Sequence, residues 1–247
     1  MQHLLLLHGA IGSKEQLQPL AQALQDKFVV HSFNFSGHGG QPFSVDSFSI
    51  PLFSNEIMEY LEEKKIPQVH VFGYSMGGYA AMHLAKQHPG RIARIITLAT
   101  KYHWDESIAA KEVKMLDAAT IREKVPAFAA QLQQRHAPND WKELLDKTKQ
   151  LLTGLGKQNA LQPADYASIT IPALILLGDR DKMVTIDETI NVYKQLPSGK
   201  LGILPGTPHP LEQVDISLLT HLILVSWNSI NFRFIESSFT CSLADYG

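Results

Sequence analysis

The stretch of this chain best suited to do chemistry is Gly73-Tyr74-Ser75-Met76-Gly77, a G-x-S-x-G. It sits between two stretches of opposite character. Val69 to Phe72 is a short β-branched and aromatic run, which predicts a buried strand. Met76 to His88 is rich in Ala, Met, Leu, Lys and Gln, which predicts a helix. A strand that turns at once into a helix forces Ser75 into strained backbone angles. It also needs almost bare backbone two residues to either side. The hydroxyl is then held out at the top of a sheet, with a helix N-terminus behind it to favour developing negative charge. That suits nucleophilic attack. A Gly-rich turn whose serine merely caps a helix has the same pattern, so partners are required. A serine hydroxyl is a poor nucleophile until a base takes its proton. The base in turn needs a third group to fix its tautomer and stabilise its charged form.

The elements that would position these groups alternate along the chain. Leu4 to Leu7 predicts a buried strand ending in His8-Gly9. The turn Gly9-Ala10-Ile11-Gly12-Ser13 leads into a helix over Glu15–Gln25, with Leu17, Leu20, Ala21 and Leu24 on one face and Ser13 as its N-cap. Phe28 to Phe35 is the next strand, followed by Ser36-Gly37-His38-Gly39-Gly40 and a helix over Phe53–Glu63. After the Ser75 helix, His88-Pro89-Gly90 is a stop, and Arg91 to Ala99 is another strand. This alternation predicts an α/β fold, a mostly parallel sheet with helices on both faces. From Lys101 to Tyr166 it halts. Three helical blocks stand there, Glu106–Leu116, Ile121–Arg135 and Trp141–Leu152, punctuated by Pro126, Pro138 and Gly154-Leu155-Gly156. The core then resumes with a strand over Ala173–Leu177 ending in Gly178-Asp179-Arg180-Asp181, and a helix over Thr185–Gln195. A last strand, Leu201–Leu204, ends in Pro205-Gly206-Thr207-Pro208-His209-Pro210, and Val214 to Trp227 is the closing helix. Residues 228–247 fit neither period and are read as a tail or an edge strand.

The glycine-flanked serine, the His8-Gly9 loop and the turns of Asp181 and His209, in that order, resemble the α/β-hydrolases over roughly residues 1–225. The usual hairpin before the His8-Gly9 strand is missing, so the sheet is expected to be truncated at one edge. In that family the order along the chain is Ser, acid, His. Two histidines follow the Asp179–Asp181 turn, His209 and His221. His221 lies within an amphipathic helix. His209 lies in a Pro-rich loop where a rigid turn can aim an imidazole back at Ser75, so His209 is the candidate base. The family's G-x-x-D selects Asp181 as the acid. Asp179 is the alternative, although it can pair with Arg180 or Lys182 or cap the turn. The resemblance also implies an oxyanion hole built from the backbone N–H groups of Ala10, with Ile11 as the other choice, and of Met76. Residues 101–166 stand where the family inserts a helical cap, with the core at 1–100 and 167–227. Ile11, Tyr74 and Trp104 are candidate substrate-facing residues, with Tyr102 and His103 beside Trp104. His8 and His38 read as structural, and Asn34 stands near where many relatives have an Asp. A serine at position 75 argues against the branches that use an aspartate there, the dehalogenases and epoxide hydrolases.

Composition bounds the function. The chain has 247 residues, 45% hydrophobic and 19% charged, enough for a substantial core. A formal net charge of −2 gives no reason to propose nucleic acid or an anionic membrane as partner. The only cysteine, Cys241, excludes an internal disulfide framework. The N-terminus lacks a basic segment followed by a long apolar one, and no run approaches a membrane span. The expectation is a cytoplasmic protein. No metal motif and no nucleotide fingerprint is present, so no cofactor is expected. The reading is a serine hydrolase acting on a small-molecule ester or similar acyl bond through an acyl-enzyme. The alternatives are a lyase or acyltransferase using the same residues, or a ligand-binding receptor on the same fold.

Overall fold

The computed structural model describes residues 1–44 and 46–228. Its strands are β1 (Gln2–Leu7), β2 (Phe28–Ser32), β3 (Val69–Tyr74), β4 (Ile92–Leu98), β5 (Ala173–Gly178) and β6 (Gly199–Leu204). They form a six-stranded sheet in the order β2-β1-β3-β4-β5-β6, with every pairing parallel. The helices between them are α1 (Gln18–Leu24), α2 (Ile50–Glu63) and α3 (Met76–Gln87). Between β4 and β5 come α4 (Glu106–Lys114), α5 (Ala118–Lys124), α6 (Pro126–His136), α7 (Trp141–Lys157) and α8 (Pro163–Ala167). The chain ends its described part with α9 (Ile186–Tyr193) and α10 (Ile216–Asn228).

Successive strand residues point to opposite faces, and both faces here are dry. Leu5, Leu7, Val71 and Ile95 pack against α2, α3 and α9. Leu4, Leu6, Phe72 and Ile96 pack against α1 and α10. Burial on both sides is why these strands read as unbroken apolar runs rather than alternating ones. The strand order also fixes where a ligand can enter. From β1 the chain moves outward to β2, then crosses back to place β3 on the other side of β1. The loops after β1 and β3 therefore diverge at the carboxyl edge of the sheet, where open α/β sheets leave a crevice. Those loops carry Gly9–Gly12 and Ser75.

Several element bounds differ from the sequence reading. The first helix opens as a 3-10 turn over Lys14–Leu17, capped by Ser13, before α1 begins with Pro19 in its first turn. β2 stops at Ser32 and not Phe35. The block read as one helix over Ile121–Arg135 is two, α5 and α6. Val125 breaks it at φ −137° and ψ 59°, because a residue before proline is driven out of the helical region. Gly154 and Gly156 lie inside α7 rather than ending it. A Cβ on Gly156 would come within 2.6 Å of Ala109 Cβ and 2.9 Å of the Asp105 carbonyl oxygen, so glycine is what lets α4 and α7 touch. The short α8 has no counterpart among the elements expected from the sequence. Residues 229–247 lie outside the described part of the chain.

One ion pair ties the end of the sheet to α9. Lys101 Nζ donates to Glu188 Oε2 at 2.9 Å and to the Met183 carbonyl at 3.0 Å, with side chains 6% and 10% exposed. Glu188 Oε1 also accepts the Tyr102 N–H, and the Glu188 carboxylate closes a capping box with Thr185. Removing one member of such a pair leaves a buried charge unmatched. Lys101→Met is expected to lower stability by about 3 kcal/mol, read from urea midpoints at unchanged m. A loss near zero would show that Glu188 is satisfied without it.

Candidate active site

The turn between β3 and α3 shows why its residues are small. Ser75 has φ 50° and ψ −119°, a left-handed conformation that costs a non-glycine residue strain. A Cβ on Gly73 would lie 2.5 Å from the Gly78 backbone, and one on Gly77 2.6 Å from the His8 carbonyl oxygen. The turn is held from several sides. Ser75 N–H donates to the Leu98 carbonyl at 2.9 Å, and Thr100 Oγ1 donates to the Ser75 carbonyl at 3.0 Å. The Ser75 side chain makes no capping bond to α3, which removes the helix-cap reading of the motif. Met76 is the first residue of α3, so its N–H is among those left without a partner inside the helix.

The loop after β1 abuts this turn. A Cβ on Gly9 would lie 3.0 Å from Ser75 Cβ. Gly12 N–H donates to the Gly9 carbonyl, which closes a turn with Ala10 and Ile11 at its corner. Ile11 has φ 52°, an unfavourable angle for a β-branched residue. Its carbonyl is held by two donors from α6, Arg135 Nη1 at 3.1 Å and His136 Nε2 at 3.0 Å. The sequence carried no signal for this clamp, because both residues sit at the end of a helix distant along the chain.

His209 and Asp181 meet across the ends of β5 and β6. His209 Nδ1 donates to Asp181 Oδ2 at 2.7 Å. Asp181 Oδ1 accepts the N–H groups of Met183 and Val184, both at 2.8 Å. Its side chain is 1% exposed, whereas that of His209 is 20% exposed. The carboxylate is thus locked by the backbone, and the imidazole keeps Nε2 as the atom able to take a proton. Tyr74 Oη donates to the His209 carbonyl at 2.9 Å and steadies that loop. Burial, with Glu212 and Asp181 nearby, pushes the Tyr74 phenol up, so it stays a neutral donor. Asp179 points elsewhere, accepting the Thr207 N–H at 3.3 Å with Arg180 at 3.9 Å. His221 lies exposed on α10.

Ser75 and His209 open on one cavity of about 290 Å³. Ala10, Ile11, Tyr74, Met76 and Trp104 line it too. Tyr102 and His103 do not; Tyr102 is buried and hydrogen-bonded to Thr97. The far walls come from the end of α4 and the residues just after it, α6 and α7, with Met115, Leu116, Phe128, Leu151 and Leu155 making them apolar. Such a set can accept an acyl chain and present its carbonyl to a hydroxyl, a base and two amides. Among the described residues no group of three or more histidines, cysteines or carboxylates could hold a metal ion. No described helix is long and apolar enough to cross a membrane.

The family-level comparison agrees with this architecture. The family model for the alpha/beta hydrolase fold matches residues 2–137, and the chain belongs to that family. Similar curated proteins are enzymes. A putative 2-succinyl-6-hydroxy-2,4-cyclohexadiene-1-carboxylate synthase of Bacillus subtilis is 25% identical over 83% of this chain and 83% of its own length. A pimeloyl-[acyl-carrier protein] methyl ester esterase of Aeromonas hydrophila is 25% identical over 86% of this chain and 92% of its own. Among solved structures, an esterase from Thermogutta terrifontis superposes with a TM-score of 0.75 at 17% identity, covering 93% of this chain and 90% of that one. MenH from S. aureus gives 0.74 at 21% identity, covering 92% and 94%. Both share the fold.

Three buried histidines stand behind the Ala10 loop, and each is held neutral. His8 donates from Nδ1 to the Gly9 carbonyl and accepts the Phe35 N–H at Nε2. His136 accepts the Gly39 N–H at Nδ1 while donating to Ile11. His38 donates from Nδ1 to the Ser36 carbonyl. Burial is the first cause that lowers each, to about 4 for His8 and His136 and well below the ordinary value for His38. The unfolded chain therefore binds more protons than the folded one between pH 6.5 and about 4. Stability is full above that window and is lost as pH falls through it, by up to about 1.4 kcal/mol per pH unit for each histidine. Melting temperatures measured from pH 7 to 4 are expected to fall steadily. A flat profile would show that these rings are already charged when folded.

Proposed function

We propose that this protein is a serine hydrolase that cleaves an ester or similar acyl bond of a small molecule. Ser75 Oγ attacks the carbonyl carbon while His209 Nε2 takes its proton. Asp181 holds the imidazole tautomer and stabilises the imidazolium. The N–H groups of Ala10 and Met76 donate to the oxyanion, a contribution of several kcal/mol in related sites. The tetrahedral intermediate expels the alcohol, which leaves with the proton from His209. Water, deprotonated by His209, then attacks the acyl-Ser75 carbonyl, and the acid departs as Ser75 regains its proton. The helices of residues 101–166 act as a cap whose apolar inner wall selects the acyl group. The single cysteine fits a reducing compartment, and we take the protein to be cytoplasmic.

The observation that carries this reading is the 2.7 Å bond from His209 to a backbone-locked Asp181, on the cavity that also holds Ser75. The esterase names among the curated relatives support it. One relative is named a synthase, which favours a second reading, a lyase or acyltransferase that uses the same residues.

The roles of the two aspartates test the assignment. Asp181→Asn is expected to cut kcat on an activated ester by about 10⁴-fold, as loss of the comparable acid does in serine proteases. Asp179→Asn is expected to keep most of its activity and to lose about 1 kcal/mol of stability, as for other lost loop side-chain bonds. If Asp179→Asn is the dead variant, the acid lies two residues upstream. If both remain active, His209 is oriented by another group.

A further inference from the structure

Glu112 lies on α4, is 6% exposed, and lines the cavity that holds Ser75. A carboxylate withdrawn from water is costly unless it is paired. Among the described residues its carboxyl group makes no hydrogen bond or ion pair, and its oxygens stay accessible from the cavity. The other charged side chains of the cavity are already matched. Lys101 is held by Glu188 and the Met183 carbonyl, and Arg135 by Glu212 at 3.3 Å and the Ile11 carbonyl. Thr148 also lines the cavity, but its hydroxyl donates to the Leu144 carbonyl at 2.8 Å. The neighbours of Glu112 one turn along α4 and just beyond it, Met115 and Leu116, line the cavity as apolar groups. The cap side of the cavity thus presents one unpartnered carboxyl group within a largely apolar wall.

We infer that Glu112 is a specificity-determining residue that receives a hydrogen-bond-donating group of the substrate, an ammonium above a hydroxyl, carried on the acyl part away from the scissile carbonyl. The word substrate rests on the serine-hydrolase reading; the binding claim does not. An acyl chain ending in a carboxylate would meet a like charge here and is selected against. A carboxyl group kept without a partner in an apolar cavity contributes no hydrogen bond to the fold, so removing it should not weaken the fold.

The test is calorimetric binding of hexylammonium and hexanoate to the wild-type protein and to Glu112→Gln, with thermal melts of Glu112→Gln and Glu112→Leu. Hexylammonium is expected to bind wild type about 10- to 100-fold more tightly than hexanoate. Glu112→Gln should lose that preference, the scale of one charge-assisted hydrogen bond. Both variants should melt at or above the wild-type temperature. Equal hexylammonium affinity in wild type and Glu112→Gln, or tighter binding of hexanoate by wild type, overturns the inference. So does a clear fall in melting temperature for both variants, which would assign Glu112 a structural role. Hydrolysis of p-nitrophenyl acetate by wild type is read separately. Its absence would count against the hydrolase reading and leave the binding result standing.

Discussion

The structure depends on how closely β3 and α3 approach each other at Ser75. A side chain on Gly73 would strike Gly78, and one on Gly78 would strike Thr100 and the Gly73 carbonyl. With those positions bare, the chain can reverse within one strained residue, and the strain is absorbed by bonds from Leu98, Thr100 and α3. The same tight packing brings the β1 loop against the turn, since Gly77 touches the His8 carbonyl and Gly9 touches Ser75. The proposed nucleophile and its proposed amide donors are thus set by backbone contacts inside the sheet. Side chains that could rotate away do not set them.

Around that fixed point, the charges of the proposed machinery and its flanks are matched or suppressed. Asp181 is saturated by His209 and two backbone amides, and Lys101 and Arg135 each have a carboxylate. The histidines behind the Ala10 loop stay uncharged because burial disfavours their protonated form. His136 must be neutral to accept from Gly39 while donating to Ile11, so the position of the loop is linked to its protonation state. In such surroundings the unmatched carboxylate of Glu112 is conspicuous on physical grounds alone.

What the sequence made legible follows from how local each signal was. The Ser75 turn and the apolar strands were readable because each rests on neighbours in the chain, whereas the order of Ser75, Asp181 and His209 was drawn from the family resemblance. Asp181 was separable from Asp179 only through the family's spacing; the structure gives the physical difference, since one faces His209 and the other the Thr207 amide. The break at Val125 that divides α5 from α6 is itself local, since Pro126 marks it. Gly156 does not stop its helix but serves a contact between α4 and α7, which no local pattern shows. The Arg135–His136 clamp and the isolation of Glu112 were invisible, because both depend on which helix of residues 101–166 folds over which loop.

The central claim is that Ser75 carries the acyl group during turnover. The direct measurement is mass spectrometry of protein quenched in acid while it hydrolyses p-nitrophenyl acetate, with peptide mapping of the modified residue. The account predicts acetyl-Ser75 during turnover, its disappearance once substrate is exhausted, and its accumulation in a variant slowed at deacylation. Steady product release with the acetyl group on another residue, or undiminished release from Ser75→Ala, would contradict it.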